Sequence, residues 1–154
     1  MNTEAQTETT TQLEQPNTFG GIPLTSFKKI DLVNGLPGFE DLHNFIIAEL
    51  EEYTPFCALQ SVDEPDISML VIDAKLLAIW KDIEIPPREL QILNVEKSEQ
   101  SEQYIILKIN QASQEFTGNI KAPIVFNPET GLANQVILDN ANLSVEHPMN
   151  NEIA

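Results

Sequence analysis

Cys57, His43 and His147 are the side chains of this sequence best suited to nucleophilic or metal chemistry, so their spacing is the first question. Transition-metal sites draw His, Cys or carboxylate ligands clustered at short intervals, and none of the three has another of them two to four residues away. His43 is expected on a solvated turn. Cys57, inside Pro55-Phe56-Cys57-Ala58-Leu59, is expected as a small core residue. A Cys57 thiolate with His147 as its base would be a nucleophilic pair only if folding brings them within hydrogen-bond reach. The chain carries no Gly-rich phosphate loop and no Gly-x-Ser-x-Gly elbow, and Asp63-Glu64-Pro65-Asp66 lacks the length and terminal Glu of a calcium loop. Among 24 Asp and Glu, no single pair stands out for acid–base work. No catalytic residue, metal ligand or cofactor site is assigned.

The distribution of charge is more informative. Eight Lys and Arg against 24 Asp and Glu give a formal net charge of -16. Nucleic acid is a poor partner for such a chain, because affinity for it rests on cations neutralising phosphates. Anionic membrane surfaces are disfavoured for the same reason, whereas a basic protein would be steered in. Between Lys29 and Lys75 there is no Lys or Arg, while Asp31, Glu40, Asp41, Asp73 and six further carboxylates fall in that stretch. Those six, Glu49, Glu51, Glu52, Asp63, Glu64 and Asp66, are the candidate protein-binding rim; the plainer reading is that they solubilise loops.

These side chains need a scaffold, and 154 residues suffice for one hydrophobic core but not comfortably for two. Residues 1–18 are almost wholly polar and read as a disordered tail, leaving a single domain over 19–154. Cys57 is the only cysteine, which excludes an intrachain disulfide and favours a reducing compartment. With neither an export signal nor a long apolar run, a cytoplasmic location is expected.

Short apolar runs broken by turn residues set the fold class. Ile30 to Val33 stops at Asn34-Gly35, and Leu36-Pro37-Gly38-Phe39 adds further turn chemistry, since Gly accepts positive φ and Pro presets φ. Phe45 to Leu50, Phe56 to Ser61 and Ile67 to Ile72 are of strand length. Leu76 to Ile85 reads as a bend leading into a strand, and Pro87 to Leu93 as a short helix with Pro in its first turn. Tyr104 to Ile109 suits a pleated, half-buried surface. Ile120 to Phe126 and Gln135 to Leu138 flank Asn127-Pro128-Glu129-Thr130-Gly131 as a hairpin. The expected fold is mainly β: a single antiparallel, β-barrel-like domain with one or two short helices.

Five blocks, in order, then resemble one family. Asn34-Gly35-Leu36-Pro37-Gly38-Phe39-Glu40, and Pro55-Phe56 followed by Leu59-Gln60-Ser61, resemble the opening motifs of the FliW flagellar assembly factors. Thr117-Gly118-Asn119-Ile120-Lys121-Ala122-Pro123-Ile124-Val125, Gln135-Val136-Ile137-Leu138 and His147-Pro148 are similar to its later blocks. Ala74, where the family often has Pro, and Phe126, in place of an aliphatic, depart from the pattern. The resemblance implies a non-enzymatic partner switch: binding the RNA-binding translational regulator CsrA, which relieves repression of flagellin synthesis, and also binding flagellin. A chaperone-like role without cofactor follows from the same likeness. The alternative from another class is a small-ligand-binding barrel or minor enzyme with a pocket near Cys57 and His147.

Overall fold

The computed structural model describes residues 18–19 and 21–152. The polar tail expected over 1–18 lies outside the described residues except for Thr18, which begins the first strand. Among the described residues there are ten strands: β1 (Thr18–Phe19), β2 (Ile22–Leu32), β3 (Asn44–Leu50), β4 (Phe56–Ser61), β5 (Ser68–Asp73), β6 (Glu102–Asn110), β7 (Glu115–Gly118), β8 (Ile124–Phe126), β9 (Leu132–Gln135) and β10 (His147–Pro148). One short α-helix, α1, spans Pro87–Ile92, and three 3-10 turns span Ala74–Leu76, Ala78–Asp82 and Ser98–Gln100.

Strands β2 to β6 form an antiparallel meander, and β8 and β9 close it by pairing with β6 and β2. The result is a ring of sheet rather than a true barrel, and one closing contact, Asp31 and Leu32 against Leu132 and Ala133, is parallel. One edge of β6 serves two strands. Its residues Glu102 to Tyr104 pair with β8, and Leu107 to Asn110 pair with β7, which β10 extends. Side chains alternate between faces, so two separate apolar layers arise from one ring. Phe45, Leu59, Val71, Tyr104 and Ile124 fill the lumen. Ile72, Ile105 and Val125 face outward beneath Leu77, Trp80 and Leu90 of the helical segments. A smaller outer cluster, including Leu24, Ile46 and Ala58, covers β2 to β4.

Local chemistry explains where expectations and structure part. The segment Leu76 to Ile85 is not a bend leading into a strand. Asp73 accepts the Lys75 N–H at 3.0 Å, and two 3-10 turns bring Leu77 and Trp80 into the outer core. Trp80 Nε1–H donates to Gln103 Oε1 at 2.9 Å, a buried bond that would leave an unpaired donor if the segment were extended. The hairpin around Asn127 forms with a shorter first arm, Ile124 to Phe126, and a second arm displaced to Leu132–Gln135, so that only Gln135 of the expected Gln135 to Leu138 lies in the strand. Beyond it, the Val136 and Leu138 amides donate to the Pro123 and Lys121 carbonyls at 2.9 and 2.8 Å. Strand β2 begins eight residues before the expected Ile30, because five consecutive exposed residues, Thr25 to Lys29, hide its alternation. A bulge interrupts it between Thr25 and Lys28, with Ser26 at φ 53°. From Leu24 to Ile30 it pairs with β3 alone among the named strands.

The last segment is locked by the absence of a side chain. Gly118 lies opposite His147, and a Cβ there would meet Met149 Sδ at 2.9 Å and Ile105 Cγ2 at 3.0 Å. Met149 is fully buried in the outer core. Gly118→Ala is therefore expected to destabilise the fold by roughly 1–3 kcal/mol through overpacking, seen as a lower urea midpoint with an unchanged slope.

Candidate partner-binding surface

The six candidate rim carboxylates do not form one rim. Glu49 pairs in register with Cys57, whereas Ser61 pairs with Phe45, so Glu49, Glu51 and Glu52 sit at the β3–β4 turn and Asp63, Glu64 and Asp66 at the β4–β5 turn. The two turns lie at opposite ends of the hairpin, and the four steps from Cys57 to Ser61 alone span about 13 Å. All six are exposed.

The β4–β5 turn is one wall of a cleft of about 310 Å³, lined by Phe39, Glu40, Asp41, Leu42, Glu64 and Ile67, with Gly38 at its edge. Two of the five sequence blocks build its walls. In Asn34-Gly35-Leu36-Pro37-Gly38-Phe39-Glu40, the chain doubles back so that the Phe39 amide donates to the Leu36 carbonyl at 2.7 Å. Gly35 adopts φ 65°, and a Cβ there would lie 2.6 Å from the Phe39 carbonyl oxygen, so no other residue fits without opening the loop. Leu36 is buried in the lumen core, and the Gly38 N–H donates to Glu40 Oε2 at 3.1 Å.

The opposite wall is braced by Leu59-Gln60-Ser61. Gln60 is 2% exposed, and its amide Nε2 faces the carbonyls of Ser61, Pro65 and Ile67 at 3.2, 2.9 and 3.2 Å. Ser61 Oγ accepts the Glu64 N–H at 2.9 Å, and Asn44 Nδ2 donates to Asp63 Oδ2 at 3.1 Å. These bonds hold an acidic turn rigid beside an apolar floor. The floor continues inward, since Leu42 and Ile67 pack against the lumen core, while Phe39 remains 39% exposed. Sequence reasoning singled out Glu64 but not Phe39, Leu42 and Ile67; the available signal was an aromatic directly after the Pro37-Gly38 turn, read only as turn chemistry.

A different polar group lies at the β3–β4 end of the lumen. Lys28 Nζ donates to Glu102 Oε1 at 2.8 Å, and the Tyr104 hydroxyl donates to the same oxygen at 3.1 Å. Burial, with Glu102 next, holds the Tyr104 phenol above its usual range. Burial also raises the Cys57 thiol from its ordinary 9.0 to about 11, with Glu49 and Asp73 adding to the rise and Lys28 opposing it. Cys57 is half-buried at this mouth rather than fully in the core, and so is a protonated thiol at neutral pH.

The proposed pairing of Cys57 with His147 is not formed. Four strand-to-strand steps, β4 to β5 to β6 to β7 to β10, separate them along the sheet. Cys57 packs against the lumen core, and His147 lies opposite Gly118 on the outer face. Neither lines the acidic cleft or a second cleft of about 440 Å³ in which Lys75, Lys81 and Lys97 are matched by Glu84, Glu96 and Glu99. His147 Nε2 instead meets Glu152 Oε2 at 3.4 Å, and Glu152 Oε1 accepts the Ile79 N–H at 3.1 Å. His43 is half-buried, not on a solvated turn, and its Nδ1 lies 2.7 Å from the Leu32 carbonyl, which defines it as a donor there. Among the described residues, no group of three or more His, Cys, Asp and Glu could hold a metal ion, and no helix is long and apolar enough to cross a membrane.

Two measurements follow from this geometry. A thiol reagent at pH 8 should label native Cys57 about a hundredfold more slowly than an unperturbed thiol, because its thiolate is scarcer by that factor, and unfolding should restore the ordinary rate. Gln60→Leu should cost roughly 1–3 kcal/mol of stability and speed amide exchange across the β4–β5 turn, since buried carbonyls lose their donor.

Comparison with known proteins places this architecture. The family model described as FliW protein matches residues 14–149. The flagellar assembly factor FliW of Caldanaerobacter subterraneus subsp. tengcongensis is 39% identical over 136 residues, covering 88% of this chain and 91% of the relative. That of Bacillus velezensis is 34% identical over 128 residues, covering 83% and 90%. A crystal structure of the flagellar assembly factor FliW superposes with a TM-score of 0.69 at 31% identity, covering 79% of this chain and 84% of that one. With the match spanning nearly the whole described ring, the chain belongs to the FliW family of flagellar assembly factors.

Proposed function

We propose that the protein acts in flagellum biogenesis by exchanging protein partners in the cytoplasm: it captures the RNA-binding regulator CsrA, relieving repression of flagellin synthesis, and flagellin competes for it. Such a switch requires two binding equilibria linked by mass action and no bond-making step. The protein is on this reading a chaperone-like binder and not an enzyme, and it works without a cofactor or direct contact with nucleic acid or membrane. The observation that carries the reading is family membership, and the net charge of -16 agrees with it, because a protein that grips RNA presents the complementary sign.

Titration calorimetry of the folded protein against CsrA and flagellin from the same organism tests the exchange. Saturable binding to CsrA, reversed by flagellin and weakened by added salt, is the expected result. Absence of heat with both partners at concentrations of about tens of micromolar would overturn it, since that would leave at most weak association.

A further inference from the structure

Of the two acidic turns, the β4–β5 turn borders a described groove with an apolar floor. Around the cleft of Phe39, Leu42 and Ile67 stand Glu40, Asp41 and Glu64, with Asp63 and Asp66 on the same turn as Glu64. Among the described residues, none of these five carboxylates has a Lys, Arg or His within ion-pairing distance. Glu102, by contrast, is paired with Lys28, and the lysine-bearing cleft balances three cations with three carboxylates. The groove walls are also set in advance by Gln60, Ser61 and the Gly35 turn, so a ligand need not order them. Preorganisation of this kind lowers the entropic cost of association.

We infer that this groove is a docking site for an extended protein segment in which an apolar side chain is flanked by lysines or arginines. The apolar side chain packs on Phe39, Leu42 and Ile67, and the flanking cations meet the five carboxylates. Burial of exposed Phe39 supplies an anchor of the aromatic kind that dominates interfaces, and the carboxylates supply steering and register. The inference deepens the partner-binding reading and rests on it for the identity of the protein that carries the segment. It also separates the two acidic turns: the β3–β4 turn, with Glu49, Glu51 and Glu52, lies at the other end of the hairpin and outside the groove.

The test compares three proteins by calorimetry with CsrA and with flagellin: wild type, the groove variant Phe39→Ala/Asp63→Lys/Glu64→Lys/Asp66→Lys, and the opposite-end variant Glu49→Lys/Glu51→Lys/Glu52→Lys. Circular dichroism and urea unfolding confirm that each is folded. The groove variant should lose about tenfold or more in affinity for at least one partner, while the opposite-end variant stays within about threefold for both. If wild type binds and the groove variant binds equally well, or the opposite-end variant alone loses affinity, the inference is overturned. A second measurement stands apart from those partners. Amide spectra of wild type titrated with a synthetic Lys-Lys-Leu-Phe-Lys-Lys peptide should shift at Phe39 to Leu42 and Glu64 to Ile67. Shifts located there without any CsrA or flagellin binding would retain the groove and reject the named partners; shifts elsewhere, or none, would sink the groove itself.

Discussion

The fold depends on one edge of β6 being divided between two partners. Its first three residues close the ring through β8, and its last four carry the β7–β10 flap. An undivided edge would give either an open meander or a ring with no support for the chain's final segment. Division lets a nine-residue strand do both, and it puts Tyr104 against the lumen while Ile105 and Leu107 face the outer core. Each core is small, so neither could stand without the strand that borders both.

Seen from the cleft, the ring is a support that holds two loops at fixed separation. Leu42 and Ile67 pack against the lumen core and also line the acidic cleft, so packing energy inside the ring sets the shape of a groove outside it. Crowded carboxylates oppose this arrangement, and fixed dipoles relieve part of the strain: Asn44 donates to Asp63, and the Gly38 amide donates to Glu40. The remaining charge is left to solvent and salt, which is the state in which an incoming cation gains most.

Much of this was readable beforehand. Strands β3, β4 and β5 are apolar runs bounded by acidic and Pro residues, and α1 begins at the Pro that suits a first turn. The 3-10 turns over Ala74–Asp82 were not, because Ile83 and Ile85 interleaved with Asp82 and Glu84 read as strand alternation, and the decisive bond reaches Gln103, 23 positions away. The first half of β2 was hidden because its exposed run carries no hydrophobic period. For the surface, charge counting found Asp63, Glu64 and Asp66 but could not know that Glu49, Glu51 and Glu52 point to the far end, since that follows from register. Gln60 looked like one more polar residue in a strand; its role depends on three carbonyls brought back by the turn it braces.

The bulged stretch of β2 has a consequence for self-association. From Leu24 to Ile30 one side of the strand has no ladder partner among the named strands, which is the kind of edge that templates strand exchange and fibril growth. Here the positive-φ Ser26 breaks the flat repeat, and Lys28 and Lys29 place like charges along it. A second copy offering the same edge would meet a mismatched register and the Lys29 ammonium, both of which disfavour edge-to-edge growth there.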